Sequence, residues 1–352
     1  MAKRIVVAGH AQVREVLRRD LEFGIAPING ARISEVDEAF VLGMDRGVVL
    51  VHEREALYRA LAHADREPIM RSIEAGIADR LDGRSEVDAV NGYARPIAAR
   101  TAQLLFGING GGNDQLFMDA ARAVFAHTFL NLGNDQTVRA RAIRASKLID
   151  RWLTEEVERR LAAGEPGEDM MGALLSQRLL DARGAVRTLA GMLVGSIDTT
   201  ASCVAKIIAV IGRDRKLLQA VADDADDPAR MLGWCWEALR RWPHNPLVLR
   251  EALCDTRLGS YPIKKGEQLW LWTQAAMQDE SAFPDARRLR PDRPAEQYLH
   301  FGDALHVCAG RSINSVQIPM LVTALVRRGI ASVGPVAWAG SFPDRLVVRF
   351  ER

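Results

Sequence analysis

The sequence has 352 residues, 48% of them hydrophobic and 26% charged, the balance of a globular chain with a real core. With 47 basic residues against 45 acidic ones the net charge is +2, which gives no electrostatic reason to expect nucleic acid or a membrane as partner. Four cysteines, Cys203, Cys235, Cys254 and Cys308, form no C-x-x-C pair, so no zinc site, disulfide framework or c-type attachment motif is suggested, and a reducing cytoplasmic setting fits best.

The opening MAKRIVVAGHAQVREVL has an apolar run too short for an export signal or a membrane span. It predicts a strand over 5–8, a turn at Gly9 and a helix over 11–20. Segments 51–64, 68–81 and 90–106 are rich in Ala, Leu, Arg and Glu and predict helices. Pro68 suits the first turn of its helix, where a missing N–H costs nothing. GINGGGND at 107–114 predicts a loop. Helices follow over 115–130 and 138–163, and GEPGED at 164–169 breaks the pattern and caps a short helix near Asp169. Segment 187–213 predicts one long central helix. Its stripe is Ala190, Leu193, Val194, Ile197, Ala201, Val204 and Ile208, and Asp198 is its only charge between Arg187 and Lys206.

The second half changes character. After a helix over 231–241, Pro243 and Pro246 stop regular structure, and short strands are predicted over 247–250, Thr256–Leu258 and 267–273, with a turn at Lys265 and Gly266. Residues 279–311 show little periodicity, and so long a coil is usually functional or disordered. A helix begins after it, and Pro319 is expected to bend that helix or split off its first turns. No internal repeat or linker is visible. The simplest organisation is one domain over 1–352, mainly α with a small β part.

HFGDALHVCAGRS, at 300–312, places a lone cysteine just before that last helix. A thiolate there faces free helix N–H groups and the positive end of the dipole. Gly302 and Gly310 would let backbone approach a flat ligand. Alone, such a cysteine is more often a packing residue. Three further segments change that weighting. EALR at 237–240 is an E-x-x-R pattern, PDRP at 291–294 is a P-x-R-P pattern, and GSIDTT at 195–200 lies on the apolar helix. In their chain order, 195–200, 237–240, 291–294 and then the F-G-x-x-x-H-x-C-x-G of 301–310, they resemble the cytochrome P-450 family of haem-thiolate monooxygenases, over almost the whole chain from Ile5.

The resemblance implies the family's mainly helical fold and a haem b (iron protoporphyrin IX) cofactor. Cys308 would be the iron ligand, Phe301 would pack near the sulfur, and Gly310 would lie against the haem. Glu237, Arg240 and Arg293 correspond to a buried, structural salt-bridged triad that pins the 279–308 coil. His306, Arg250 and His52 correspond to contacts of the haem propionates. Asp198 and Thr199 correspond to the acid–alcohol pair that handles protons beside bound oxygen. Substrate-facing positions fall in 21–46, around 125–132, at Leu193, Val194 and Ile197, and over 246–249. Phe23, Ile25, Ile28, Phe125, Phe129, Leu130, Leu247 and Val248 make them mostly apolar, although the same residues describe ordinary core. His127 reads better as a satisfied interior or surface histidine than as a polar contact.

Departures from the family pattern are Ser196 for a small glycine, Ala304 for a glycine in the cysteine loop, and Ala56 where an arginine normally follows the histidine. The front is also short, as in a natural short form or a domain of a longer protein. The leading expectation is a monooxygenase that inserts one oxygen atom of O2 into an apolar small molecule. No flavin or dinucleotide fingerprint is present, so a separate ferredoxin-type donor is expected. The alternatives are a haem-thiolate peroxygenase or hydroperoxide-rearranging enzyme, and a haem-binding protein without turnover, a sensor or inactive partner subunit.

Overall fold

The computed structural model describes residues 3–38 and 40–351. Strand β1 (Arg4–Val7) leads through Gly9 into α1 (His10–Arg18), then β2 (Phe23–Gly24) and the short α2 (Ala31–Ser34). Helices α3 (Val48–His63) and α4 (Glu67–Leu81) precede β3 (Glu86–Asp88) and a π-helical turn, Ala89–Ala94, that feeds α5 (Arg95–Phe106). Next come α6 (Asp114–Phe125), another π-helical turn at Ala126–Leu130, and α7 (Gln136–Ala163). The two helices predicted over 90–106 and 115–130 are thus each an α-helix joined to a π turn.

The following helices are α8 (Met170–Gln177), α9 (Ala182–Val194), α10 (Asp198–Ile211), α11 (Arg215–Asp223) and α12 (Pro228–Arg241). Aspartates cap four of these starts: Asp169, Asp181, Asp214 and Asp227 each accept from main-chain N–H groups of the first turn. The long helix predicted over 187–213 is broken at 195–197, so it is two helices, with Asp198 in the first turn of the second. Strands β4 (Val248–Ala252), β5 (Thr256–Leu258), β6 (Tyr261–Ile263) and β7 (Gln268–Leu271) lead to the short α13 (Thr273–Ala276). The last helix, α14 (Arg311–Arg327), runs through Pro319, so of the expected bend or split its first turns are not split off. Four strands close the chain: β8 (Ile330–Val333), β9 (Ala337–Ala339), β10 (Phe342–Arg345) and β11 (Val347–Phe350).

The chain forms two compact units. The first comprises Met1–Ile28, Leu81–Val90 and Ser202–Arg352. Its main sheet has the order β1-β7-β4-β2, with β1 parallel to β7 and the other pairs antiparallel. Antiparallel β3-β11-β8 makes a second sheet, and β5/β6 and β9/β10 are two-stranded ribbons. Helix α14 packs on α11 and α12, and α1 packs on α13. The second unit comprises Asn29–Arg80 and Asn91–Ala201. In it α7 packs on α6 and α9, and α3 on α8, around buried Leu57, Tyr93, Phe106, Phe117, Ile149 and Leu153. The stretch Ala182–Ile211 is long and apolar enough to cross a membrane, yet 78% of its apolar window is buried inside the protein, as in a core helix.

Two helix-ending glycines separate conformational strain from packing. Gly107 (φ +69°) and Gly164 (φ +70°) both adopt the left-handed region. A Cβ on Gly164 would meet open space, whereas one on Gly107 would collide with the Asp169 carboxylate and the Arg160 guanidinium. Those two groups form a double ion pair at 2.7 Å. Gly164→Ala is expected to cost about 1–2 kcal/mol, from backbone strain alone. Gly107→Ala should cost at least about 1 kcal/mol more, because it also displaces a mostly buried ion pair. Urea unfolding of both variants measures the difference, and equal losses would contradict this reading.

Candidate functional site

The irregular segment between α13 and α14 is organised from behind by a buried carboxylate. Glu237 and Arg240 sit three residues apart on α12, so both project to one face, and neither has any exposed surface. Glu237 Oε1 accepts from Arg240 Nε at 2.8 Å and from the Tyr298 hydroxyl at 2.9 Å. Its Oε2 accepts from Arg240 Nη2 at 3.0 Å, the Arg290 main-chain N–H at 2.9 Å and Arg293 Nε at 3.4 Å. Arg240 also donates to the carbonyls of Met277, Ala286 and Arg288 at 2.9, 2.9 and 3.1 Å. The faces of both guanidiniums lie near the Phe283 ring, 5.2 and 5.8 Å from its centre. Burial beside Glu237 pushes the Tyr298 hydroxyl pKa far above its usual value, so it stays a donor.

That network leads directly to the cysteine loop. Tyr298, His300, Phe301 and Trp236 of α12 pack against one another, Trp236 and Phe301 edge to face and the other pairs tilted, with ring centres 4.8–5.4 Å apart. Burial pulls the His300 pKa down to about 3, so it packs as a neutral ring. The Cys308 N–H donates to the Phe301 carbonyl at 2.9 Å and closes the loop. Inside it, Gly302 has φ +74° and Ala304 has φ +56°. The alanine that departs from the family's glycine therefore does stand in the left-handed region. Asp303 holds it there: Oδ1 accepts from the Ala304 N–H at 2.8 Å, and Oδ2 accepts from Arg14 and Arg18 of α1 at 3.2 and 2.9 Å.

Cys308 is exposed, and the main-chain N–H groups of Gly310 and Arg311 are directed at its sulfur. Desolvation raises the thiol pKa, opposed by those two N–H groups and the Arg311 charge. Cys203 and Cys235 are buried, and burial pushes the Cys203 thiol up to about 12. These features fit a haem iron: an accessible sulfur carries two N–H donors that stabilise a thiolate. Among the described residues no group of three His, Cys, Asp or Glu is placed to hold a bare metal ion. A lone sulfur suits an iron that brings its other ligands with it. His306 ends the 3₁₀ turn Ala304–His306, and buried Arg250 lies on β4, both in the same unit as Cys308.

The acid–alcohol segment belongs to the other unit. Asp198 is buried, and its Oδ1 accepts from Arg95 Nε at 3.0 Å and from Arg122 Nε at 2.9 Å. Arg95 also donates to Asp119 at 2.9 Å. Asp198 Oδ2 is buried with no hydrogen-bond partner among the described residues. The hydroxyls of Ser196, Thr199 and Thr200 donate to the carbonyls of Leu193, Gly195 and Ser196, around the break between α9 and α10. Arg95 and Arg122 escaped the sequence reading because they lie 103 and 76 residues from Asp198.

His52, exposed in the first turns of α3, places Nε2 2.6 Å from the Leu179 carbonyl. A propionate contact would require giving up that bond. His127 is fully buried between Glu35 at 3.0 Å and Asn131 at 3.1 Å, a satisfied interior histidine. Phe23, Ile25 and Phe125 are buried core residues.

Fold and loop together define a mainly helical protein that presents one cysteine sulfur in a loop before its last helix. A family model described as cytochrome P-450 matches residues 232–328, the span from α12 through α14. Cytochrome P-450 107B1 of Saccharopolyspora erythraea is 25% identical over 268 residues, covering 74% of this chain and 62% of that protein. Linalool 8-monooxygenase of Pseudomonas putida is 25% identical over 360 residues, covering 92% of this chain and 82% of that protein. The crystal structure of CalO2 superposes with a TM-score of 0.87 at 19% identity, over 98% of this chain and 90% of that one, a likeness of fold. Over the matched span and in these relatives the chain is similar to cytochromes P-450. It spans 62% and 64% of the first two curated relatives that it matches.

The weight carried by Glu237 is measurable. Glu237→Gln leaves the buried Arg240 and Arg293 without a counter-charge and should cost about 3–5 kcal/mol in urea unfolding. Glu86→Gln, which removes an exposed pair with Arg349, should change stability by less than about 1 kcal/mol. Similar small losses in both would show that the buried triad does not hold the fold.

Proposed function

We propose that this chain is a haem-thiolate monooxygenase that inserts one oxygen atom of O2 into an apolar small molecule. The observation that carries the reading is the exposed Cys308 sulfur under two main-chain N–H donors, in a loop held from behind by Glu237. Haem b, when bound, supplies the iron chemistry that activates dioxygen. The protein's own residues do the rest. Cys308 supplies the thiolate, and the N–H groups of Gly310 and Arg311 stabilise its charge. Phe301 packs on Trp236 within the cysteine loop, and Gly310 would leave room for the macrocycle. His306 and Arg250 would hold the propionates, and His52 would contact one only by giving up the Leu179 carbonyl. Glu237, Arg240 and Arg293 hold the loop and touch no reactant.

Asp198 is the proton-handling carboxylate. Two arginines fix Oδ1, which leaves Oδ2 as the atom that takes and releases a proton. Thr199, adjacent in the chain, passes that proton through its hydroxyl once it leaves the Gly195 carbonyl. Electrons come from a donor protein of the ferredoxin type, in the cytoplasm. A second reading, a haem-thiolate peroxygenase, is favoured by one observation: the Ser196, Thr199 and Thr200 hydroxyls are all engaged on backbone carbonyls.

Product formation separates the two. Substrates found by ligand-induced spin-state change are tested with a ferredoxin system under air and with hydrogen peroxide alone. The monooxygenase reading expects donor-driven product, reduced about a hundredfold or more by Thr199→Ala. Efficient peroxide turnover that survives Thr199→Ala, with no donor-driven product, would overturn it.

A further inference from the structure

The cysteine loop asks an unusual thing of one residue. Gly302 and Ala304 both take left-handed backbone, with φ of +74° and +56°. Glycine enters that region freely, whereas the Cβ of an alanine crowds the neighbouring carbonyl. Ala304 lies midway in the ring that the Cys308 N–H closes on the Phe301 carbonyl at 2.9 Å. Its own carbonyl accepts from the Val307 N–H at 3.2 Å and so closes the single 3₁₀ turn Ala304–His306. If Ala304 relaxed to an ordinary negative φ, residues 301–303 would rotate against 305–308. Both bonds would then be lost, and the sulfur would leave the Gly310 and Arg311 N–H groups that point at it.

Asp303 opposes that relaxation, and α1 backs it. Oδ1 accepts from the Ala304 N–H at 2.8 Å, and Oδ2 accepts from Arg14 Nε at 3.2 Å and Arg18 Nε at 2.9 Å. The two arginines are four residues apart, so they share one face of α1. The Asp303 and Arg14 side chains keep only 21% and 23% of their exposure, against 45% and 59% for the open pair of Glu55 and Arg59. A pair that is partly out of water and held by two guanidiniums exceeds an isolated surface contact. Helix α1 grips the same irregular segment twice more. The His10 N–H donates to Asp279 Oδ2 at 2.9 Å, and His10 Nε2 lies 2.9 Å from the Gln297 carbonyl. Glu237 therefore holds the segment from behind, and α1 holds it at 279, 297 and 303.

We propose that Asp303, backed by Arg14 and Arg18, is a positioning residue for the Cys308 sulfur, made necessary by the alanine at 304. It touches no reactant. It keeps Ala304 left-handed, and the loop geometry keeps the sulfur under its two N–H donors. This role rests on the haem-thiolate reading of Cys308. It carries a condition that an ordinary ion pair lacks: a glycine at 304 would hold the same backbone unaided, and Asp303 would become dispensable.

A double-mutant cycle on the haem-loaded protein tests that condition, with Asp303→Ala, Ala304→Gly and the two combined. Two rates are read: loss of the red-shifted Soret band of the reduced, carbon monoxide-bound protein in mild urea, and amide hydrogen exchange over 301–311. Asp303→Ala alone should speed both by about tenfold, the order set by one strained residue. Ala304→Gly alone should slow them or leave them unchanged, and the combined variant should return to within about threefold of the native rates. Arg14→Gln leaves Asp303 on the Ala304 N–H, so it is the milder variant if Asp303→Ala folds poorly. It should give a smaller acceleration that Ala304→Gly also removes. No acceleration in Asp303→Ala or Arg14→Gln, or an acceleration of equal size with and without Ala304→Gly, would overturn the proposal. Absence of the red-shifted band from the native protein would instead sink the haem-thiolate reading, and the exchange cycle would still decide whether Asp303 holds the loop.

Discussion

One buried carboxylate organises the part of the molecule that matters most for chemistry. Glu237 receives donors from its own helix, from the Arg290 main chain, from Arg293 and from Tyr298. Taking such charges out of water costs several kcal/mol per ion, and hydrophobic residues of the same volume can do as well for stability alone. What the network supplies is geometry. The 279–308 segment has little regular secondary structure of its own, so its path is set by the carbonyls that Arg240 ties and by the amide that Glu237 ties. Without that anchor the aromatic cluster around Trp236 and the turn that presents Cys308 would have no fixed reference.

The same device recurs in the other unit. Asp198 is held by Arg95 and Arg122 as Glu237 is held by Arg240 and Arg293: one carboxylate and two arginines, with only Arg240 close to its acid in sequence. The difference lies in what is left over. Both oxygens of Glu237 are saturated, which suits a structural post. Asp198 keeps one oxygen without a partner, which suits a group that exchanges protons. Ala304 shows the cost side of such precision. A non-glycine residue is kept in the left-handed region because Asp303, itself fixed by two arginines of α1, holds its N–H.

Local patterns carried much of this into the sequence. The E-x-x-R spacing puts two side chains on one helix face, and the cysteine loop is a contiguous run, so both were legible. The partners that complete them were not. Tyr298 and the Arg290 amide have no spacing relation to Glu237, and nothing near Asp198 in the chain announces Arg95 or Arg122. Apolar periodicity runs straight through Gly195 and Ser196, which hid the break between α9 and α10. Pro319 failed as a helix breaker: it is buried, and α14 continues through it, so packing on α11 and α12 outweighs one lost hydrogen bond. Strands β8 to β11 have three or four residues each, too few for alternation to stand out.

The central claim is that Cys308 supplies the thiolate to a haem iron. The most direct measurement is the absorption spectrum of the reduced, carbon monoxide-bound protein for the native chain and for Cys308→Ser. A Soret band strongly shifted to the red is expected for the native chain, lost in Cys308→Ser and retained in Cys203→Ser, Cys235→Ser and Cys254→Ser. A red-shifted band that persists without the Cys308 sulfur would contradict the assignment.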